Sequence, residues 1–216
     1  MNDKMVVLQA KFERQAPWIL CLFHAIGIGL FLYPNRPQGL SGLNMLLCTV
    51  LVLGSAQHYS KEIWAVVGIM LGGFIVEAIG VNTGLLFGSY EYGQELGWKL
   101  LGVPVVLGFN WYCVVAASAH LVKRWLPVTW PLMVRAALVG VLCTGMDFLI
   151  EPVAMAYDFW DWEGHVVPVF NYVCWWIFAT IFAALYLHYI QKVNKTAHLL
   201  FFVWLVFFLI LNAVRV

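Results

Sequence analysis

Seven apolar stretches follow one another along this chain and leave little sequence for anything but helices that cross a membrane. They run near Pro17–Tyr33, Leu40–Gln57, Ile63–Val81, Leu100–Val122, Trp130–Ile150, Pro168–Tyr189 and Ala197–Val214. Hydrocarbon about 30 Å thick is spanned by about 20 helical residues, and it offers an irregular backbone no hydrogen-bond partners. Charge is too scarce for a soluble domain: 11% of the 216 residues are charged and 63% are hydrophobic, where about 25% charge is usual. The fold expected is therefore all-α, a polytopic transmembrane bundle of about seven helices in one integral membrane domain covering residues 1–216. The charged N-terminus leads into the first stretch with no small-residue cleavage site after it, so that stretch reads as a retained helix.

Lys and Arg set the expected orientation. Lys4, Lys11, Arg14, Lys61, Lys123, Arg124, Lys192 and Lys195, with Arg135 close by, fall on one side of such a bundle, and Arg36, Lys99 and Arg215 on the other. The bias predicts a multi-pass protein of a prokaryotic plasma membrane with a cytoplasmic N-terminus. Both long connections, Asn82–Lys99 and Glu151–Val167, then lie on the outer face. A net charge of +1 gives no reason to expect nucleic acid as a partner.

Against this apolar background three carboxylates stand out: Glu77, Asp147 and Glu151, each near the end of an apolar run. An acidic side chain at the centre of a spanning helix costs roughly 2.5–3.5 kcal/mol on insertion scales, so each is a candidate functional group. Asp147 and Glu151 are four apart and share a helix face. Pro152 disfavours helical geometry at the residue before it, which predicts Glu151 at or just beyond the helix end. Two neighbouring carboxylates in an apolar setting do not ionise together comfortably, an arrangement that keeps one available as an acid. The plainer alternatives are that Glu151 is solvated at the interface and that Asp147 caps backbone or pairs with Arg135.

Each acidic position is followed by an aromatic loop, a Val-Pro and an Asn: Tyr90, Tyr92, Val103-Pro104 and Asn110-Trp111 in the first unit, Trp160, Trp162, Val167-Pro168 and Asn171 in the second. The shared order fits either a degenerate parallel repeat or coincidence. Tyr and Trp gather at any membrane interface, which suffices for Trp98. Facing a site, the same rings stabilise a developing cation. Asn110 and Asn171 either orient a water or tie helices together.

The six histidines lack the spacings of a metal site. His24 is expected to bond between helices, and His165 is kept as a candidate site residue. All five cysteines fall in apolar runs and read as small buried hydrophobes. No metal and no cofactor is expected. The last stretch has no lysine for a retinal Schiff base, and no nucleotide-binding pattern occurs where it would matter.

These residues carry a resemblance. Glu77-x-x-Gly-x-x-Thr-Gly-x-x-Phe-Gly-x-Tyr-x-Tyr with Gly102-Val-Pro104, and Asp147-x-x-x-Glu-Pro-x-Ala154 with Trp160-x-Trp162, Gly164, Val167-Pro168 and Asn171 to Trp175, resemble the hallmarks of the CruF-type membrane carotenoid-biosynthesis proteins. The resemblance covers roughly residues 60–180. It departs at Glu151, where an aspartate is the family's residue, at His165-Val166, and over the first two helices. It implies a hydro-lyase, a carotenoid 1,2-hydratase that needs no cofactor. Such an enzyme adds water across the terminal double bond of an acyclic carotenoid end and leaves a tertiary alcohol, as in bacterioruberin- or myxol-type pathways. The implied partner is a carotenoid within the bilayer, with room for a complex with other carotenoid-synthesis enzymes.

That chemistry needs a proton donor to carbon 2, stabilisation of the cation at carbon 1 and one well-placed water. On this reading Asp147 or Glu77 is the acid and the other the water-orienting base. Glu151 tunes the pair, while Tyr90, Tyr92, Trp160 and Trp162 line the cation. Two other readings stay open from sequence: a proton-coupled transporter or carrier of a lipid-soluble ligand, and an assembly subunit without chemistry of its own.

Overall fold

A computed structural model describes residues 3–33, 37–56 and 59–215. Among these residues seven long helices follow one another: α1 (Asp3–Phe31), α2 (Leu40–Gly54), α3 (Tyr59–Thr83), α4 (Val106–Trp125), α5 (Leu132–Ala156), α6 (Val169–Tyr189) and α7 (Lys195–Arg215). The polytopic all-α bundle is thus observed. Arg36 and Gln57, used above for the charge bias and a helix end, lie outside the described residues. Five helices, α1, α3, α5, α6 and α7, are long and apolar enough to cross a membrane. The chain is a multi-pass membrane protein.

α4 escapes that criterion for a physical reason. It is the central helix, buried almost continuously from Leu107 to Val122 and packed on α2, α3, α5, α6 and α7. A helix enclosed by protein faces side chains rather than lipid, so it carries Asn110, Ser118 and His120 without meeting hydrocarbon. Its small residues let neighbours approach closely: a Cβ added at Gly108 would stand 2.8 Å from the Met70 carbonyl oxygen on α3.

Three features depart from the sequence expectation. α1 begins at Asp3, well ahead of the expected Pro17, which it carries inside it. α5 continues through Pro152 to Ala156, so Glu151 lies inside the helix and not at its end. Pro152 removes one backbone donor, but extensive packing of α5 on α6 holds the helix across it. The long connections are also ordered into strands: β1 (Tyr90–Tyr92), β2 (Lys99–Leu100), β3 (Val103–Pro104) and β4 (Trp160–Trp162). β1 pairs antiparallel with β4, setting Tyr90 opposite Trp162, Glu91 opposite Asp161 and Tyr92 opposite Trp160. This ribbon joins the two connections across the end of the bundle.

A buried carboxylate outside the site holds the same end together. Glu95 accepts from the Gly39 and Ser41 amides at 3.2 and 3.3 Å and from the Ser41 hydroxyl at 2.7 Å. It thereby caps the N-terminus of α2 from the connection that follows α3.

Candidate active site

Three side chains that ought to avoid hydrocarbon line one small cavity beneath the ribbon. Glu77 comes from α3 and Asp147 and Glu151 from α5, and they are 4%, 1% and 2% exposed. Among the described residues no Lys, Arg or His lines the cavity. Asp147 is not paired with Arg135; its hydrogen bond comes from Asn171.

Glu77 and Glu151 are held in the same way. Glu77 Oε2 accepts from the Tyr90 and Tyr92 hydroxyls at 2.5 and 2.7 Å, and its Oε1 accepts from the Trp111 indole N–H at 2.9 Å. Glu151 Oε2 accepts from the indole N–H groups of Trp160 and Trp162 at 2.9 and 2.7 Å, and its Oε1 accepts from the Asn171 amide at 3.1 Å. In each case alternate residues of a three-residue strand supply two donors, and the helix after a Val-Pro supplies the third. Period-two geometry puts both aromatics of Tyr-Glu-Tyr and of Trp-Asp-Trp on the inner side of the ribbon. Burial, and then the neighbouring Glu77, push the Tyr90 and Tyr92 hydroxyls well above the usual phenol range, so both remain donors.

The likeness of the two units extends to their helices. Trp111 and Trp175 each stand seven residues after the proline of a Val-Pro, and they stack on each other with ring centroids 4.0 Å apart and planes 14° apart. The units differ where it matters chemically. One turn before Glu151 stands Asp147; one turn before Glu77 stands Gly73. A Cβ at Gly73 would lie 2.5 Å from Trp111 Cγ, so that position is filled by the indole. Asp147 is thus the carboxylate without a counterpart. It is also the least satisfied, accepting at 2.9 Å from Asn171 alone among the described residues.

The amides have separate tasks. Asn171 spends both amide hydrogens on α5, one on Asp147 and one on Glu151, and so ties α6 to it. Asn110 is buried, makes no side-chain hydrogen bond to a described residue, and lines the cavity. The cavity has a volume of about 20 Å³, and roughly 10–15 Å³ suffices for a water. A second, larger cavity of about 400 Å³ lies beside it, and Asn110 and Trp160 line both.

The structure therefore brings together Glu77, Tyr90, Tyr92, Asn110, Asp147, Glu151, Trp160, Trp162 and Asn171, with Trp111 bonded to Glu77 from α4. His165 stays outside: its side chain is 82% exposed and pairs with Asp161 at 2.8 Å. Trp175, Phe87 and Leu107 also line the cavity; Trp175 and Phe87 stand in the motifs that carry the resemblance but are not among the expected site residues, and Leu107 carries no sequence signal. Trp175 stands one helical turn beyond Asn171, and Phe87 sits in a loop at a positive φ of 65°. Among the described residues no cluster of three or more His, Cys, Asp or Glu is arranged to hold a metal ion. All five cysteines are free, and four are buried as expected; Cys21 is exposed on α1.

Comparison with known proteins points one way. The family model described as carotenoid biosynthesis protein matches residues 40–216. A bisanhydrobacterioruberin hydratase of Haloarcula japonica is 31% identical over 128 residues, which make up 56% of this chain and 43% of that protein. The matched region is thus less than half the length of that relative. No solved structure matches.

Proposed function

Because this chain belongs to the family of carotenoid biosynthesis proteins, we propose that it is a hydratase acting on the terminal double bond of an acyclic carotenoid. The relative from Haloarcula japonica, a hydratase by name, supports the reaction class. The observation that carries the mechanism is the contrast among the three carboxylates. Glu77 and Glu151 each receive three hydrogen-bond donors, which hold their oxygens as acceptors. Asp147 receives one. With no cation among the described residues that line the cavity, three negative charges in it would repel one another, and a shared proton resides best on Asp147.

The Asp147 carboxyl protonates carbon 2 of the alkene as the π electrons form the new C–H bond. The tertiary cation left at carbon 1 faces the rings of Tyr90, Trp160 and Trp162 and the two glutamates. A water held by Asn110 adds to carbon 1 and gives its surplus proton to a carboxylate, which restores the proton inventory. The atoms of one water enter and nothing leaves. The N-terminus is cytoplasmic on this reading, from the Lys and Arg distribution.

The test is the pigment profile of a host that makes an acyclic carotenoid, with and without this chain. The expected result is a tertiary alcohol that appears only with the chain. An unchanged profile, with the protein present in the membrane, would contradict the proposal.

A further inference from the structure

We propose that the larger cavity, between α1, α2 and α7, is the binding site for the end segment of the polyene, reached sideways from lipid between α1 and α2. This inference rests on the hydratase reading and adds where the substrate is held and how it arrives. Three observations carry it. The cleft shares Asn110 and Trp160 with the acid cavity, so a chain lying in it ends against the reacting groups. Its walls are hydrocarbon and aromatic, with Phe31, Leu47, Ile150, Phe207 and Phe208 among them. Its polar side chains are largely turned on each other. His24 donates from Nδ1 to the Leu20 carbonyl, its Nε2 accepts from Trp204 and Asn44, and Ser41 donates to Glu95. Asn44 Oδ1, enclosed and without a partner among the described residues, and the Asn110 amide are the exceptions.

The lateral opening follows from two lining residues that also face outward. Ile26 on α1 is 49% exposed and Leu43 on α2 is 64% exposed. A cavity of about 400 Å³ falls near the low end of the roughly 300–1,000 Å³ of sites for drug-sized ligands. It accommodates an end segment and leaves the rest of a long polyene in the bilayer.

The experiment is cysteine protection in nanodiscs. Ile26→Cys is made in a Cys21→Ser background, and its reaction with an apolar maleimide is timed with lycopene, with the saturated hydrocarbon squalane, or with neither. Val141→Cys, on the lipid-facing side of α5, is the control. Lycopene should slow labelling at Ile26→Cys severalfold, squalane should not, and Val141→Cys should respond to neither. Equal protection by squalane, or none by lycopene, would overturn the inference. Hydration is assayed on the wild-type chain in the same nanodiscs, which separates the two ideas. Protection without hydration would retire the hydratase reading and keep the cleft, and hydration without protection would do the reverse.

Discussion

Glu77 and Glu151 accept the same number of hydrogen bonds, yet an amide in place of each meets different donors. At Glu77 two donors are phenols, which can rotate and accept, so Glu77→Gln can turn its amide toward Tyr90 and Tyr92 and its oxygen toward Trp111. At Glu151 both partners of Oε2 are indoles, which only donate, and the other oxygen faces the Asn171 amide. Glu151→Gln therefore sets donor against donor, at about 1–3 kcal/mol for a buried polar group left unsatisfied. Thermal unfolding in detergent should show a clear loss for Glu151→Gln and a smaller one for Glu77→Gln. Asp147→Asn keeps the shape but carries no transferable proton, and hydration by it should fall about 10²–10⁴-fold with normal abundance in the membrane; near-normal product would make Asp147 structural. All three acids were legible in the sequence because a carboxylate in an apolar run is costly. Their ranking was not, because it depends on how many donors converge on each, and those donors come from residues up to 34 positions away.

At the level of elements, the two aromatic loops were read as an interface belt or a cation-lining wall and not as strands. The signal was present, since Tyr90-Glu91-Tyr92 and Trp160-Asp161-Trp162 alternate aromatic and acid, but three residues are too few to distinguish a strand by period alone. Pro152 misled in the other direction: a local preference predicted a helix end that packing against α6 overrides. The contact between α3 and α4 gives a prediction of its own. Gly73→Ala would press a methyl group against Trp111, and overpacking of this kind costs about 1–3 kcal/mol. We expect a lowered melting temperature and reduced hydration, because Trp111 is displaced from Glu77. Gly145→Ala, on α5 with no neighbour within 4 Å of the added carbon, should change neither.

For the whole molecule, the helix order gathers the acid cavity, the ribbon and the cleft at one end of the bundle, and the orientation proposed from the charge bias would make that end external. A membrane-impermeant maleimide should label Glu91→Cys in intact cells and Lys195→Cys only after permeabilisation; both positions are exposed. The reverse pattern would invert the topology. A hydratase needs no gradient, so activity should persist in vesicles collapsed by an uncoupler, whereas a proton-coupled carrier would stop. The central claim is that water adds across a carbon–carbon double bond by proton transfer from Asp147. Its most direct test is the mass spectrum of product formed by purified protein from an acyclic carotenoid in deuterium oxide. The account predicts a tertiary alcohol with one carbon-bound deuterium at carbon 2, formed by the wild-type chain and lost in Asp147→Asn. Alcohol without deuterium at that carbon, or equal labelled product from Asp147→Asn, would contradict it.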